Sequence, residues 1–405
     1  MSTDPVPASA PPATPTRAIA FLALASVASQ AMVRALDTLL PQIADDIGTT
    51  VGTASIVVTA YAITHGTVQL IIGPIGDRMG KYRVVAAACA LSSVMVVLCG
   101  LAQSLTGLAI ARLASGATAA WIIPLGMAFV ADVVPYERRQ QVLGRFLAGQ
   151  ITGQMLGQAA AGVLGDYFGW RNVFFVLAAI FAVAALALLF ELIVNPLTRA
   201  ADRRADKPRS MYSDYVTLFS NPWARFVLVV VFFEGVLVFG IFTFVGADLH
   251  LRFGISFTAI GLIVGAFGIG GIAYALTVKP LLKRLGQTGI ANGGGLIMAG
   301  AFFVLAVEPT WTFAPFAVTA IGFGFYMLHN TLQTVGSQMT PDARGTAVAI
   351  FASMYYLGQT IGTTLSAPIV DRFGAPPLFM ISVVLLPILA WSFTRGLKRH
   401  SAQSN

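Results

Sequence analysis

One set of short signatures occurs twice in this chain, about 205 residues apart, and both copies punctuate long apolar stretches. The stretch Gly73-Pro74-Ile75-Gly76-Asp77-Arg78-Met79-Gly80 has its counterpart at offset 206 in Pro280-Leu281-Leu282-Lys283-Arg284-Leu285-Gly286. Pro135 and Arg138 recur at the same offset as Pro341 and Arg344. At offset 205, Gly153-Gln154-Met155-Leu156-Gly157 recurs as Gly358-Gln359-Thr360-Ile361-Gly362, and Asp166-Tyr167-Phe168-Gly169 as Asp371-Arg372-Phe373-Gly374. A one-residue slip separates the two sets, which marks a single duplication. Duplicated membrane halves are a common construction of secondary transporters, with the substrate site between them at mid-membrane depth. The repeat therefore points to a carrier.

Composition places both copies in lipid. The 405 residues are 57% hydrophobic and 10% charged, with a mean hydropathy of +0.79, whereas soluble domains carry about 25% charged residues. Crossing a hydrocarbon core takes about 20 helical residues. Twelve stretches reach that length, near 18–40, 52–75, 84–102, 105–132, 142–164, 173–193, 225–249, 257–281, 289–307, 311–338, 345–369 and 377–394. The expected fold is an all-α membrane protein of twelve transmembrane helices in two pseudo-symmetric six-helix halves.

A net charge of +8 could suggest nucleic acid, but its distribution argues for topology. With a cytoplasmic N-terminus, 20 of the 25 Lys and Arg residues fall in tails, at cytoplasmic helix ends or in the even-numbered connections. Arg34 and Arg112 lie inside spans, and Arg171, Arg252 and Arg372 fall outside. This is the positive-inside pattern, so both termini are expected in the cytoplasm and no nucleic-acid partner is expected.

The expected organisation is a disordered Pro/Ala/Thr-rich cytoplasmic tail over 1–16, six-helix halves over 17–193 and 225–395, a cytoplasmic linker over 194–224, and a cytoplasmic tail over 396–405. Cys89 and Cys99 share one helix about 15 Å apart, too far for a disulfide, and no metal or cofactor is implied. Gly76 to Lys81 has the wrong spacing for a phosphate-binding loop. The other connections leave no room for a catalytic domain. Energy must come from a gradient, and no nucleophile–base set suggests an enzyme.

The stretch Gly73–Arg83 resembles the loop 2–3 signature of the major facilitator superfamily. Similar correspondences are Leu40-Pro41-Gln42-Ile43-Ala44-Asp45-Asp46-Ile47-Gly48, Ala111-Arg112-Leu113-Ala114-Ser115-Gly116 and Phe168-Gly169-Trp170-Arg171. Together they look like the twelve-helix drug/proton antiporter branch, which implies a carrier of the bacterial cytoplasmic (inner) membrane. In that family the loop forms a cytoplasmic gate, here Gly73, Gly76, Asp77, Arg78, Gly80 and Lys81, with Asp132 and Arg138 as neighbours across it. Lys283 replaces Asp77 in the second copy, so the gate would be asymmetric. In helix 5, Gly149, Gly153, Gly157 and Gly162 form a small-residue face suited to close packing. This resembles the antiporter signature, with Gln158 where the family has a proline and Ala161 where it has a glycine.

Ionisable groups inside spans are costly and mark function by default. Arg34 and Asp37 are three residues apart on one helix face and can pair. Glu234 lies mid-span in helix 7 without a basic neighbour in sequence, which makes it the expected proton carrier. Asp37, beside Arg34 near the outer end of helix 1, is the second acid, and Arg112 lies early in helix 4. Gln30, His65, Trp121, Gln150, Gln154, Phe233, Tyr326, His329 and Asn330 are the candidates for lining a cavity.

The expected function is proton-coupled export, by alternating access, of a small amphipathic or toxic organic compound, by a monomer whose partners are substrate, protons and the lipid bilayer. The rival readings are a uniporter or proton symporter for a small metabolite or organic anion, with Arg34 and Arg112 binding the anion, and a non-transporting membrane scaffold or sensor.

Overall fold

The computed structural model describes residues 15–200, 211–340 and 344–404, and every regular element among them is helical. In chain order these are α1 Thr16–Arg34, α2 Leu40–Ile47, α3 Val51–Ala54, α4 Ile56–Met79, α5 Lys81–Leu101, α6 Leu105–Ala119, α7 Ile122–Val133, α8 Tyr136–Phe168 and α9 Trp170–Val194. The second half follows with α10 Leu197–Ala200, α11 Met211–Ser220, α12 Pro222–Leu237, α13 Phe239–Phe242, α14 Val245–Phe253, α15 Phe257–Val307, α16 Ala314–Gly336, α17 Arg344–Phe373 and α18 Pro376–Ser404. The end of the bundle where α1 starts and α18 finishes is here the basal end, and the opposite one the distal end. Residues 1–14 of the expected tail over 1–16 and residues 201–210 of the linker lie outside the described residues, while Thr16 is the first residue of α1.

Nine helices among the described residues are long and apolar enough to cross a membrane. One of them, α15, has 51 residues, about 77 Å at 1.5 Å per residue, which is more than twice a hydrocarbon core. It folds back at Gly286 (φ 64°, ψ 176°). The described backbone has positive φ only at glycine, at residues 48, 80, 169, 254, 286 and 374. These six form three pairs related by the duplication, 48 with 254, 80 with 286, and 169 with 374. The repeat was therefore kept where only a residue without a Cβ turns the chain at low cost.

Buried apolar side chains form two large clusters, one from Ala18 to Leu188 and one from Leu218 to Phe393. Packing inside the halves also follows the repeat. On α8, a Cβ at Gly153 or Gly157 would strike the backbone of α1 at Val27 or Ala31. On α17, a Cβ at Gly358 or Gly362 would strike α12 at Phe232 or Val236. Each partner pair is shifted by 205. In lipid, where burial of apolar area gives no gain over the acyl chains, this close backbone approach supplies the dispersion contact that holds helices together.

The linker carries α10 and α11. From α11 the Tyr215 hydroxyl donates to the Leu70 carbonyl of α4. That carbonyl would pair with the amide four residues on, but residue 74 is proline and has none. At the distal end, two motifs far apart in sequence meet: Asp46 accepts from Arg171 (2.6 Å) and from the Trp170 indole (3.3 Å).

Candidate functional site

Both helices that open a half break at corresponding points. Helix α1 ends at Arg34 and passes through a 3-10 turn, Ala35–Asp37. Helix α12 ends at Leu237, and the chain restarts as α13 at Phe239. Arg34 and Phe239 are 205 residues apart, and the Arg34 guanidinium lies 3.5 Å from the centre of the Phe239 ring. Interrupted helices at matching places in two halves point to the binding region of a carrier.

The ionisable candidates gather there. Arg34 and Asp37 form an ion pair at 3.6 Å, and both are buried (3% and 0% exposed). Near the outer end of helix 1 the pair is nonetheless buried, and Gly246 of α14 comes close to the Asp37 backbone carbonyl. Arg34 also donates to Gln359 of α17 (3.3 Å), so it bridges the two halves. Arg112 acts on Asp37 electrostatically as well. Its Nε donates to the Val57 carbonyl (3.0 Å) and its guanidinium lies 4.2 Å from the centre of the Tyr61 ring. The two terminal nitrogens of Arg112 are buried without a hydrogen-bond partner among the described residues.

Glu234 is fully buried and meets the His329 ring at 2.8 Å. The basic neighbour missing from its own stretch of sequence comes from α16. One carboxylate oxygen binds the Nδ1 atom and the other, Oε1, is buried without a described partner. In so dry a setting an isolated charge is costly. A carboxyl–imidazole pair sharing one proton is neutral as a unit, which avoids that cost.

A band of rings joins the two ionic groups. His65 stacks on Tyr61 (5.3 Å between centroids) and meets Tyr356 edge-on at 4.7 Å. Tyr356 contacts Tyr355 at 5.6 Å, and Tyr355 lies 5.1 Å from His329. Sequence reasoning missed Tyr61, Tyr355, Tyr356 and Gln359, whose only signal was aromatic and amide residues at helical spacing, the same signal that ordinary packing gives.

The other candidates are more dispersed. Gln150 and Gln154 each hold a buried Nε2 without a hydrogen-bond partner among the described residues, while Gln30, Trp121 and Asn330 are half-buried. The Tyr326 ring covers Gly271. Phe233 is 46% exposed, one position around the helix from Glu234, and stands edge-on to Phe232. Gly162, unlike Gly153 and Gly157, faces the opposite half at Phe257 and Gly261; Gly149 meets only the tip of Val27.

Of the basal gate residues, Lys81 and Asp132 pair at 2.6 Å within one half. Gly76 abuts Leu125 and Gly80 ends α4. Arg78 is exposed. Arg138 and Arg145 line a basal cavity of about 410 Å³ between α1 and α8. Gly73 and the Asp77 side chain lie outside the described residues.

Two duplicated helical halves, broken first helices and a buried acid–imidazole pair define an integral membrane transporter. The chain belongs to the Major Facilitator Superfamily, whose family model matches residues 22–363. It is 28% identical over 358 residues to the uncharacterized MFS-type transporter YceJ of Bacillus subtilis (strain 168), covering 86% of this chain and 90% of that one. It is 24% identical over 363 residues to the inner membrane transport protein YnfM of Escherichia coli (strain K12), covering 86% and 83%. Among solved structures it is similar to the nucleoside transporter NupG (TM-score 0.75, 16% identity, covering 94% and 99% of the two chains). It is also similar to a bacterial homolog of the human lysosomal transporter Spinster in an inward-facing, unoccupied conformation (TM-score 0.76, 16% identity, covering 96% and 98%). These relatives are transporters rather than enzymes.

Proposed function

We propose that this protein is a secondary active transporter that exports a small amphipathic compound in exchange for protons. Twelve crossings follow if α15 counts as two and the long helices α8 and α17 are added to the nine. Glutamines and threonines lower the hydropathy of those two helices. The basal end faces the cytoplasm in this reading, and the distal end faces the outside.

The observation that carries the reading is the buried Glu234–His329 pair. Coupling requires a group whose proton occupancy changes with the state of the carrier. Here the pair sits where α12 breaks, next to Tyr355 of α17 and so to the aromatic band between the halves. Loading a proton neutralises the acid, and binding a lipophilic cation nearby favours its ionised form, so the two compete.

The test is protein in liposomes with a lumenal pH dye. Tetraphenylphosphonium, ethidium and benzoate are added in turn, and proton movement is followed. Proton flux released by a cation supports export by exchange. A second reading, import of an organic anion, rests on the two unpartnered nitrogens of Arg112. It predicts saturable benzoate uptake that Arg112→Ala abolishes.

A further inference from the structure

The duplication places one aspartate at the end of the fifth long helix of each half, Asp166 on α8 and Asp371 on α17. Neither was singled out by its chemistry, yet both reach across to the other half. Asp166 accepts the backbone N–H groups of Phe257 (2.9 Å) and Thr258 (2.6 Å), in the first turn of α15. Asp371 accepts the N–H of Gly52 (2.8 Å) and the hydroxyl of Thr50 (2.7 Å), where the chain enters α3 and then α4. Both the donors (Gly52 and Phe257) and the acceptors (Asp166 and Asp371) are 205 residues apart. The same contact is thus made twice, with the halves exchanged.

Two further features mark these contacts as a seam. A Cβ at Gly162 would strike the Phe257 carbonyl, and one at Gly52 would strike the Ala367 carbonyl, another pair shifted by 205. The backbones of the two halves therefore touch beside each carboxylate. The first N–H groups of a helix have no partner inside it and carry its positive end, so a carboxylate there satisfies both needs. Asp166 itself is exposed. Partial burial pushes its carboxyl up, but the bonds from Thr258, Phe257 and Ser256 outweigh this and hold it below the usual carboxylate range. An acceptor at a wet rim is readily rehydrated on release, which suits a contact that must break and reform in each cycle.

We propose that Asp166 and Asp371 are the paired gating residues of the distal mouth, each holding a helix start of the opposite half, and that opening there requires both to let go. This rests on the alternating-access reading above, but not on proton coupling or on any substrate.

The experiment measures distances in the full-length protein in lipid nanodiscs. Spin labels are placed on the exposed positions Phe168 and Leu262 for one latch, and Ile56 and Phe373 for the other; Cys89 and Cys99 are buried and stay out of reach of the reagent. The expected wild-type result is a short separation at both pairs. Asp166→Ala and Asp371→Ala should each raise the long-distance fraction several-fold, and the double variant should raise it by roughly the product. A double variant that is folded by thermal melting and keeps the wild-type separations would overturn the proposal. So would one aspartate alone producing the whole effect. Should an alanine variant not fold, Asp166→Asn and Asp371→Asn, which keep the shape and lose the charge, are judged by the same criterion. Distances report opening whether or not protons are moved, so failure of the proton reading and failure of the latch are told apart.

Discussion

Glu234 and His329 meet at 2.8 Å although 95 residues separate them in the chain. The contact joins α12 to α16 and leaves one carboxylate oxygen buried without a partner among the described residues. In the proposed mechanism it makes the buried acid and the imidazole a two-group proton site. Replacing His329 by Ala removes the only described partner of a fully buried carboxyl. The expected result is a folded protein in which proton-coupled flux falls at least tenfold, measured as lumenal pH change per unit of protein. His329→Asn, which keeps a hydrogen bond but is not a base, should fail equally in coupling.

Arg34 is held from three sides, by Asp37, Gln359 and the Phe239 ring. Breaking a buried ion pair by removing one partner typically costs about 3–5 kcal/mol, because the other charge is stranded. Arg34→Ala should therefore lower the unfolding midpoint in denaturant strongly. Adding Asp37→Asn should return part of the loss, since the stranded charge is gone. A double variant as unstable as the single would mean that the stacking on Phe239 dominates.

Gly157 and Gly362 occupy equivalent places in the two halves, each with the backbone of its half's first helix where a side chain would go. Overpacking a tight contact costs about 1–3 kcal/mol. Gly157→Leu and Gly362→Leu should each lower the melting temperature, and by similar amounts. Gly144→Leu, at a position with nothing close to a Cβ, should leave it nearly unchanged.

How far could the sequence be read? The duplication was legible, because repeats are local signals; of the glycines in it, Gly80, Gly169, Gly286 and Gly374 turn the chain with positive φ, whereas Gly76 lies inside α4. Glu234 and Asp37 were legible as costly charges in apolar helices. Their settings were not. Gly246 of the other half closes on the Asp37 backbone, and His329 finds Glu234 only through the packing of α16 on α12. Asp166 and Asp371 stood out only as repeated letters, since the backbone amides they accept leave no trace in sequence. The residues that join the halves act by tertiary contact, and no periodicity announces that.

Glu308 follows the last residue of α15 at the distal end and is 4% exposed, with neither carboxyl oxygen hydrogen-bonded among the described residues. Arg252 donates to Asp248 (2.9 Å) and to the Leu305 and Glu308 carbonyls (3.1 and 3.0 Å). Burial pushes the Glu308 carboxyl up to about 7, against the pull of Arg252. A raised carboxyl means that the folded protein binds its proton more tightly than the unfolded chain. Its contribution to stability is therefore present at low pH and lost as pH rises through about 7. Melting temperatures of wild type should fall between pH 5 and pH 8, and Glu308→Gln should show a smaller fall. Equal slopes would show that the carboxyl is ionised throughout.

In the proposed cycle Glu234 carries the coupled proton. Its most direct test compares two assays of Glu234→Gln in liposomes, with ethidium as the probe: accumulation driven by a pH gradient, and exchange of labelled for unlabelled ethidium without one. Gradient-driven accumulation should be lost while exchange persists, because the carrier still alternates but no longer takes up a proton at this site. Gradient-driven accumulation at the wild-type rate in Glu234→Gln would contradict it.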